Sequence, residues 1–367
     1  MRRTIMIMTL IPVLTLLAAI GCQRRPLYYV DEPGVKVIVK VLWKVQAYPE
    51  GMRPSGITLY FFRDGKYYMQ QTTADVDSCV VQLEPGKYKL YMITQSPEEY
   101  GMMQFQDMYD FDKASVSVAE TKTKWYTKAD DEMLIGNPEI MSAGVSDEFE
   151  VTDDIVENYQ HYTHLLKERI ADMTKAAVDE KIVEYETMVN YYTIRVPVYP
   201  KSIVSQYWVT AYSSNADALL SVRASTTGMA RTFMLTQDKT ADEEATQFIT
   251  QWSLTMDDPD RRIGHIDGKI TTFGYPRGEM PSPLRDPALN ISTLLVDNET
   301  VEDFVFYVGD KITSEEPPTG YRSLYRLILG SVEEPAIELP DLEPARESGF
   351  DATVEDWEEG ETIEIPM

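Results

Sequence analysis

Cysteine is almost missing from this 367-residue chain. Cys22 ends an apolar opening stretch, which leaves Cys79 without an intramolecular partner. A disulfide framework is thereby excluded, and the fold must stand on its hydrophobic core, which a chain of this length can bury. Histidine is as scarce, with only His161, His164 and His265. There is no Gly-rich phosphate loop, no Gly-x-Ser-x-Gly elbow and no His-Glu-x-x-His, so the usual signatures of phosphoryl transfer, serine hydrolysis and zinc proteolysis are absent. Basic charge is short too: 34 Lys and Arg stand against 60 Asp and Glu, a formal net charge of −26. No Lys/Arg stripe offsets that acid, so a phosphate backbone would be repelled and nucleic acid is excluded as a partner. The apolar run from Ile5 to Ile20 falls short of the roughly 20 residues that cross a bilayer, and Pro12 interrupts it.

What is present begins with that run. Arg2 and Arg3 precede it and Ala19-Ile20-Gly21-Cys22 closes it, the layout of a secretory signal. The Gly-Cys ending resembles a bacterial lipobox, with Ala19 where the pattern most often has Leu. The resemblance implies a signal peptide over 1–21, lipidation of Cys22 and a polar tether over 22–34. Gln23-Arg24-Arg25-Pro26 behind the cysteine is basic, whereas related lipoproteins carry an acidic cluster there for surface export. A lipid anchor in the outer membrane is expected, with the surface and periplasmic faces both open.

From Val35 the pattern has period two. Val35, Val37, Val39 and Val41 alternate with residues that include Lys36 and Lys40, which predicts a strand. Ile57 to Phe62, the turn Asp64-Gly65 and Lys66 to Gln71 predict a hairpin. Val80 to Leu83, Pro85-Gly86 and Lys87 to Thr94 predict a second strand-turn-strand unit. Cys79, beside it, is expected as a small buried residue. Ile155, Tyr159, Tyr162, Leu166, Ile170, Met173 and Ala177 recur every three or four residues, predicting one amphipathic helix near 155–180 packed over the domain junction. Short strands resume near Met188 and run on to Val308. Pro197 within one of them requires an edge or a bulge. Asp310 to Pro344 reads as loop around a single element at Leu324 to Leu329. Regularly spaced short strands favour sandwiches, so the chain is expected to be all-β, with one sandwich over 35–143 and a second over 144–367.

Candidate chemistry is thin. His161 and His164 share a helix face but lack the further ligands of a zinc site, and solvated histidines are expected. Asp257-Asp258-Pro259-Asp260 lacks the spacing of a calcium loop and is expected as a polar turn. No metal, cofactor or catalytic group is expected. Tyr is abundant, with 23 residues. Tyr100, Tyr109, Tyr126 and Tyr275 fall in loops, where exposed rings can stack on sugars or on a partner. Met102, Met103, Phe105 and Met108 offer either a contact surface or packing beneath their own loop.

Several stretches together resemble the fimbrillin-like lipoproteins of type V pili (the FimA/Mfa-like superfamily). They are the lipobox at Cys22, Leu83-Glu84-Pro85-Gly86-Lys87-Tyr88, Asp131-Glu132-Met133-Leu134, and Phe350-Asp351-Ala352-Thr353-Val354-Glu355-Asp356-Trp357 with Gly360. The resemblance implies two consecutive transthyretin-like β-sandwich domains, exported as a lipoprotein. It also implies stalk, tip, anchor or accessory duty, with other fimbrial subunits or surface proteins as partners. In polymerising members a protease removes the first strand after an arginine, and a donor strand from the next subunit fills the groove. Here Val35 to Trp43 would be the removable strand, and Glu361 to Ile365, with Ile363 and Ile365, the candidate donor. The first arginine beyond that strand is Arg53, and Pro54 makes it a poor cleavage site. The expectation shifts to an anchor, accessory or tip-type subunit that keeps its first strand and is not an enzyme. A glycan-binding surface lipoprotein is the alternative, and an envelope hydrolase the third reading.

Overall fold

The structure is a computed structural model, which describes residues 33–43, 53–122, 133–171, 179–249, 251–281 and 286–342. Strands come first: β1 Val35–Val41, β2 Ile57–Arg63, β3 Lys66–Thr73, β4 Ser78–Leu83, β5 Gly86–Thr94, β6 Met103–Gln106, β7 Ser115–Val118, β8 Leu134–Ile135, β9 Ser142–Val145 and β10 Phe149–Val151. Two helices follow, α1 Asp153–Ala171 and α2 Glu180–Tyr192. Then come β11 Ile194–Val198, β12 Lys201–Ser202, β13 Ser205–Ser214, β14 Leu219–Ala230, β15 Thr232–Met234, β16 Lys239–Thr240 and β17 Glu244–Ile249. The series ends with β18 Trp252–Asp258, β19 Ile263–Thr272, β20 Ala288–Leu295, β21 Val301–Tyr307, β22 Ile312–Glu315, β23 Leu324–Leu329 and β24 Ile337–Glu338. The expected all-β sandwich class is what the chain adopts.

The strands form five sheets, in the orders β11-β1-β4, β12-β9-β5-β2-β3, β18-β19-β13-β23-β22, β21-β20-β14-β17-β8 and β16-β15-β7-β6. Period-two sequence explains them locally. In β1 the four valines are buried while Lys36 and Ile38 are half-buried and Lys40 is exposed. Asp64 and Gly65 both take positive φ between β2 and β3, the conformation a two-residue hairpin turn needs. Pro197 lies in β11, an edge strand, where its missing N–H costs no ladder bond.

The described chain falls into two compact units. One comprises residues 33–37, 81–85 and the helical stretch up to Ile194. There Gly34 sits at φ +114°, and a Cβ would run into the Leu83 carbonyl. A single helix was expected from the spacing; two form. Thr152 opens α1 by accepting the Ile155 amide on its hydroxyl, and Asp179 caps α2 through the Lys181 amide at 3.0 Å. Arg169 of α1 reaches Asp179 at 2.5 Å, and Tyr162 stacks on Tyr192 at 6.0 Å. Those ties hold residues 180–192 helical, although their Tyr and Val content points toward strand.

The other unit holds the remaining strands and two hydrophobic clusters. The first gathers Tyr60, Tyr91, Val116, Met141, Phe233 and Phe273 among others. The second gathers Tyr207, Ile266, Leu289, Ile291, Leu327 and Leu329 among others. The region read as loop after Asp310 supplies three strands, β22 to β24. No helix among the described residues is long and apolar enough to cross a membrane.

Candidate contact surface

Tyr109 projects from the tight loop between β6 and β7. Asp107 takes a left-handed φ of +51°, which Asp tolerates better than most residues. The Asp110 amide then donates to the Asp107 carbonyl at 2.8 Å, and the Ala114 amide to the Asp110 carbonyl at 2.9 Å. Below the loop, the buried Tyr91 hydroxyl donates to the Met108 carbonyl at 2.6 Å. The bond fixes residue 108 from inside and turns its neighbour outward, leaving Tyr109 62% exposed.

Tyr109 does not stand alone. Tyr67 of β3, 40% exposed, meets it edge-on with ring centroids 4.5 Å apart. Buried Tyr60 lies beneath, 6.3 Å from Tyr109 and stacked on Tyr91 at 4.8 Å. Phe62 continues the stack, 5.9 Å from Tyr91 and 5.3 Å from Phe111. Burial, then the neighbouring Tyr109, raises the Tyr67 phenol above its ordinary value, and burial raises Tyr60 and Tyr91 further. Tyr60, Tyr67 and Tyr91 therefore stay neutral. A rigid pair of amphipathic rings rooted in a packed core offers stacking area at low entropic cost.

Of the other tyrosines expected in loops, two are corrected. Tyr100 is buried, its hydroxyl donating to the Thr94 carbonyl at 2.8 Å and its ring against Phe105. Tyr275 is buried edge-on to Tyr325 at 5.0 Å. Both sit where the chain leaves an element, and the core beneath takes the ring. Tyr126, Cys22, Ile363 and Ile365 lie outside the described residues. Tyr67 escaped the sequence reading because strand alternation does not say which face of β3 is wet. Met103 and Met108 pack beneath their loop, while Met102 is exposed.

The polar candidates are occupied locally. His164 pairs with Glu168 at 3.2 Å, and His161 abuts Tyr162. His265 offers one ring nitrogen to Asp257 at 2.7 Å and the other to Asp267 at 3.3 Å. Among the described residues, no three His, Cys, Asp or Glu side chains are placed to hold a metal ion. Asp258 closes its turn by accepting the Arg261 amide at 3.1 Å. Cys79 is buried, and burial, helped by Asp75, pushes its thiol up to about 11. A cleft of about 710 Å³ lies between Pro200-Lys201-Ser202 and the Pro317-Pro318 loop. Its cations are already engaged, since Lys201 and Arg322 both bind Asp238, at 3.1 and 2.5 Å.

Comparison with known proteins gives the following. No curated protein matches the chain. Among solved structures it is similar to a candidate adhesin from Bacteroides ovatus, at 14% identity and TM-score 0.52, over 88% of this chain and 98% of that one. It is also similar to the fimbrial anchor protein Mfa2 of Porphyromonas gingivalis, at 11% identity and TM-score 0.43, over 80% and 90%. A candidate adhesin from Bacteroides thetaiotaomicron matches at 8% identity and TM-score 0.42, over 76% and 81%. Identities this low speak to fold alone, and the first of the three carries that likeness. A family model covers residues 21–250, and on that match the chain belongs to the family described as a domain of unknown function, DUF5119.

Proposed function

We propose that this protein is a lipid-anchored envelope protein that works by contact, as an anchor, accessory or tip-type subunit in fimbrial assembly or adhesion, without catalysing a reaction. The observation that carries the reading is the near end-to-end fold likeness to a candidate adhesin, joined to the exposed Tyr67–Tyr109 ring pair. Cys22 supplies the anchor in this reading, and the lipobox-like Ala19-Ile20-Gly21-Cys22 supports it. Strand β1, central in its sheet with four buried valines, is retained. Arg53, the first arginine after it, is followed by Pro54 and engaged in an ion pair with Asp77.

Mass spectrometry of protein taken from its own cells tests this directly. The expected N-terminus is acylated Cys22, with surface proteins co-purifying. A chain beginning at Pro54 would mean that the first strand is shed and would remove the anchor-type assignment. One observation favours a second reading, a glycan-binding lipoprotein: the exposed Tyr67–Tyr109 pair matches the aromatic platform on which sugar rings stack. Glycan-array binding lost in Tyr109→Ala but kept in Tyr100→Phe would support it.

A further inference from the structure

The cleft of about 710 Å³ beside Lys201 has stiff sides, three of its lining residues being Pro200, Pro317 and Pro318. Pro200 leads directly into β12. Pro317 and Pro318 belong to the loop between β22 and β23, which closes on itself. The Tyr321 amide donates to the Pro318 carbonyl at 3.2 Å, and Gly320 takes φ +89°, the left-handed third position of a type II turn. The Arg322 amide then donates to the Val204 carbonyl at 2.7 Å, which fixes the end of the loop.

The Arg322 side chain is fixed as well. Its guanidinium lies over the buried Phe233 ring at 5.3 Å. Nη1 donates to Asp238 Oδ1 at 2.5 Å, and Nη2 to the Asp238 carbonyl at 2.9 Å. Asp238 offers both acceptors from a left-handed φ of +51° in the turn between β15 and β16. Lys201 reaches the other carboxylate oxygen of Asp238 at 3.1 Å. One carboxylate therefore serves two cations, and it takes only two of the five N–H donors of Arg322. Glu316, exposed at the start of the loop, pairs with neither cation among the described residues. A guanidinium oriented in advance takes a second carboxylate at little entropic cost.

We propose that this cleft binds an acidic sugar, whose carboxylate joins Arg322 and Lys201. The rest of the lining selects a sugar over a peptide. Among the described residues no Leu, Ile, Val, Met or Phe side chain lines the cleft, so a peptide finds no pocket for an apolar anchor. Ring hydroxyls find both kinds of partner. The hydroxyls of Thr319, Tyr321 and Ser323 donate or accept, and the Asp238 and Glu316 carboxylates accept. The half-buried Tyr321 ring and the prolines offer surface to the C–H faces of a sugar. The cavity volume also falls in the range that encloses a small ligand, roughly 300–1,000 Å³. The site shares no residue with the Tyr67–Tyr109 pair, so its failure would leave the reading of that pair untouched.

The test titrates the full chain by calorimetry with galacturonate-, glucuronate- and sialate-ended disaccharides, each beside its methyl ester. At least one acid should bind, and its ester should bind about tenfold or more weakly. Arg322→Gln and Lys201→Gln should each weaken the acid by about tenfold or more. The Lys201 side chain is 56% exposed, so Lys201→Gln keeps the fold and decides the matter should Arg322→Gln unfold. Tyr109→Ala should leave the acid's affinity unchanged. No binding of any acid at about 10 mM, or an ester that binds as well as its acid, would overturn the proposal. So would affinity indifferent to Lys201→Gln, affinity lost in Tyr109→Ala, or a free-carboxylate tripeptide that binds more tightly than every acidic sugar.

Discussion

Tyr60, Phe62, Tyr91, Tyr100, Phe233 and Phe273 give the first cluster of the larger unit its bulk, whereas the second is mostly Val, Ile and Leu around Tyr207, Tyr275 and Tyr325. The first draws on residues from both sides of the helices, between Tyr60 and Phe273. The second comes from the continuous stretch between Tyr207 and Leu339. Strand β14 serves both, with Ala224 and Met229 in the second cluster and Ala230 in the first. So does β17, with Ile249 in the second and Ala245 in the first. Two cores threaded by the same strands cannot melt independently. Aromatic bulk went to the core that also carries the exposed ring pair, where it lends a surface feature rigidity.

The strongest way to break this comparison is truncation of one core at a time. Tyr91→Ala, at the centre of the aromatic stack, should cost about 3–5 kcal/mol, and Leu327→Ala in the aliphatic core about 2–5 kcal/mol. Because β14 and β17 are shared, each variant should still unfold in one transition by calorimetry. Two separated transitions in Tyr91→Ala would show that the cores are independent.

A finer contrast lies in the tyrosine hydroxyls. Tyr91 donates to the Met108 carbonyl, so Tyr91→Phe leaves a buried acceptor unpaired and should cost about 1–3 kcal/mol. The Tyr207 hydroxyl, fully buried near Thr226 and Tyr275, has no hydrogen bond of normal geometry among the described residues. Tyr207→Phe should therefore fall within about 0.5 kcal/mol of wild type or stabilise. Equal costs in urea melts would erase the distinction. Tyr109→Ala, at the exposed end of the same stack, should also shift stability by no more than about 0.5 kcal/mol, so lost binding in that variant would report contact and not unfolding.

Much of this was legible in the residues. The valine alternation of β1, the Asp64-Gly65 turn and the Pro197 edge position follow from backbone chemistry that sequence displays directly. The aromatic pair was half legible: a loop position exposed Tyr109 but also suggested Tyr100 and Tyr275, which the core claims. Whether a loop ring turns in or out depends on a long-range partner such as Thr94 or Tyr325, and no local pattern encodes that. The second helix was hidden because Tyr185, Tyr191 and Tyr192 favour strands in isolation, while its cap and its partner lie in the tertiary structure.

Cys79 gives a pH handle on β4. Burial holds its thiol protonated up to about 11, against an unfolded value of about 8.5. A raised value in the folded state means that the stabilising contribution is complete below about pH 8.5 and is lost as pH climbs toward 11. Stability should begin to fall once pH exceeds about 8.5, and Cys79→Ala should flatten that limb. Alkylation at neutral pH should label Cys79 only in step with unfolding. Rapid labelling of the native chain would mean that β4 opens locally.

The smallest expected effect is in the helical unit. The Lys181 amide, then Arg169, holds the Asp179 carboxyl below its usual range. A depressed value means that the contribution is present above the unfolded value of about 3.9 and is lost as pH falls through the folded one. Among the described residues α-helix is confined to α1 and α2, so the helical component of the far-ultraviolet ellipticity reports this hairpin. Helicity should decline as pH falls below about 3.9 and through the depressed folded value, because protonation weakens the cap and its arginine contact together. Asp179→Asn keeps a capping oxygen and should lose the acid dependence while retaining most of the helix. Asp179→Ala should lose both. An acid titration of Asp179→Asn that overlays wild type would show that another carboxylate governs the hairpin.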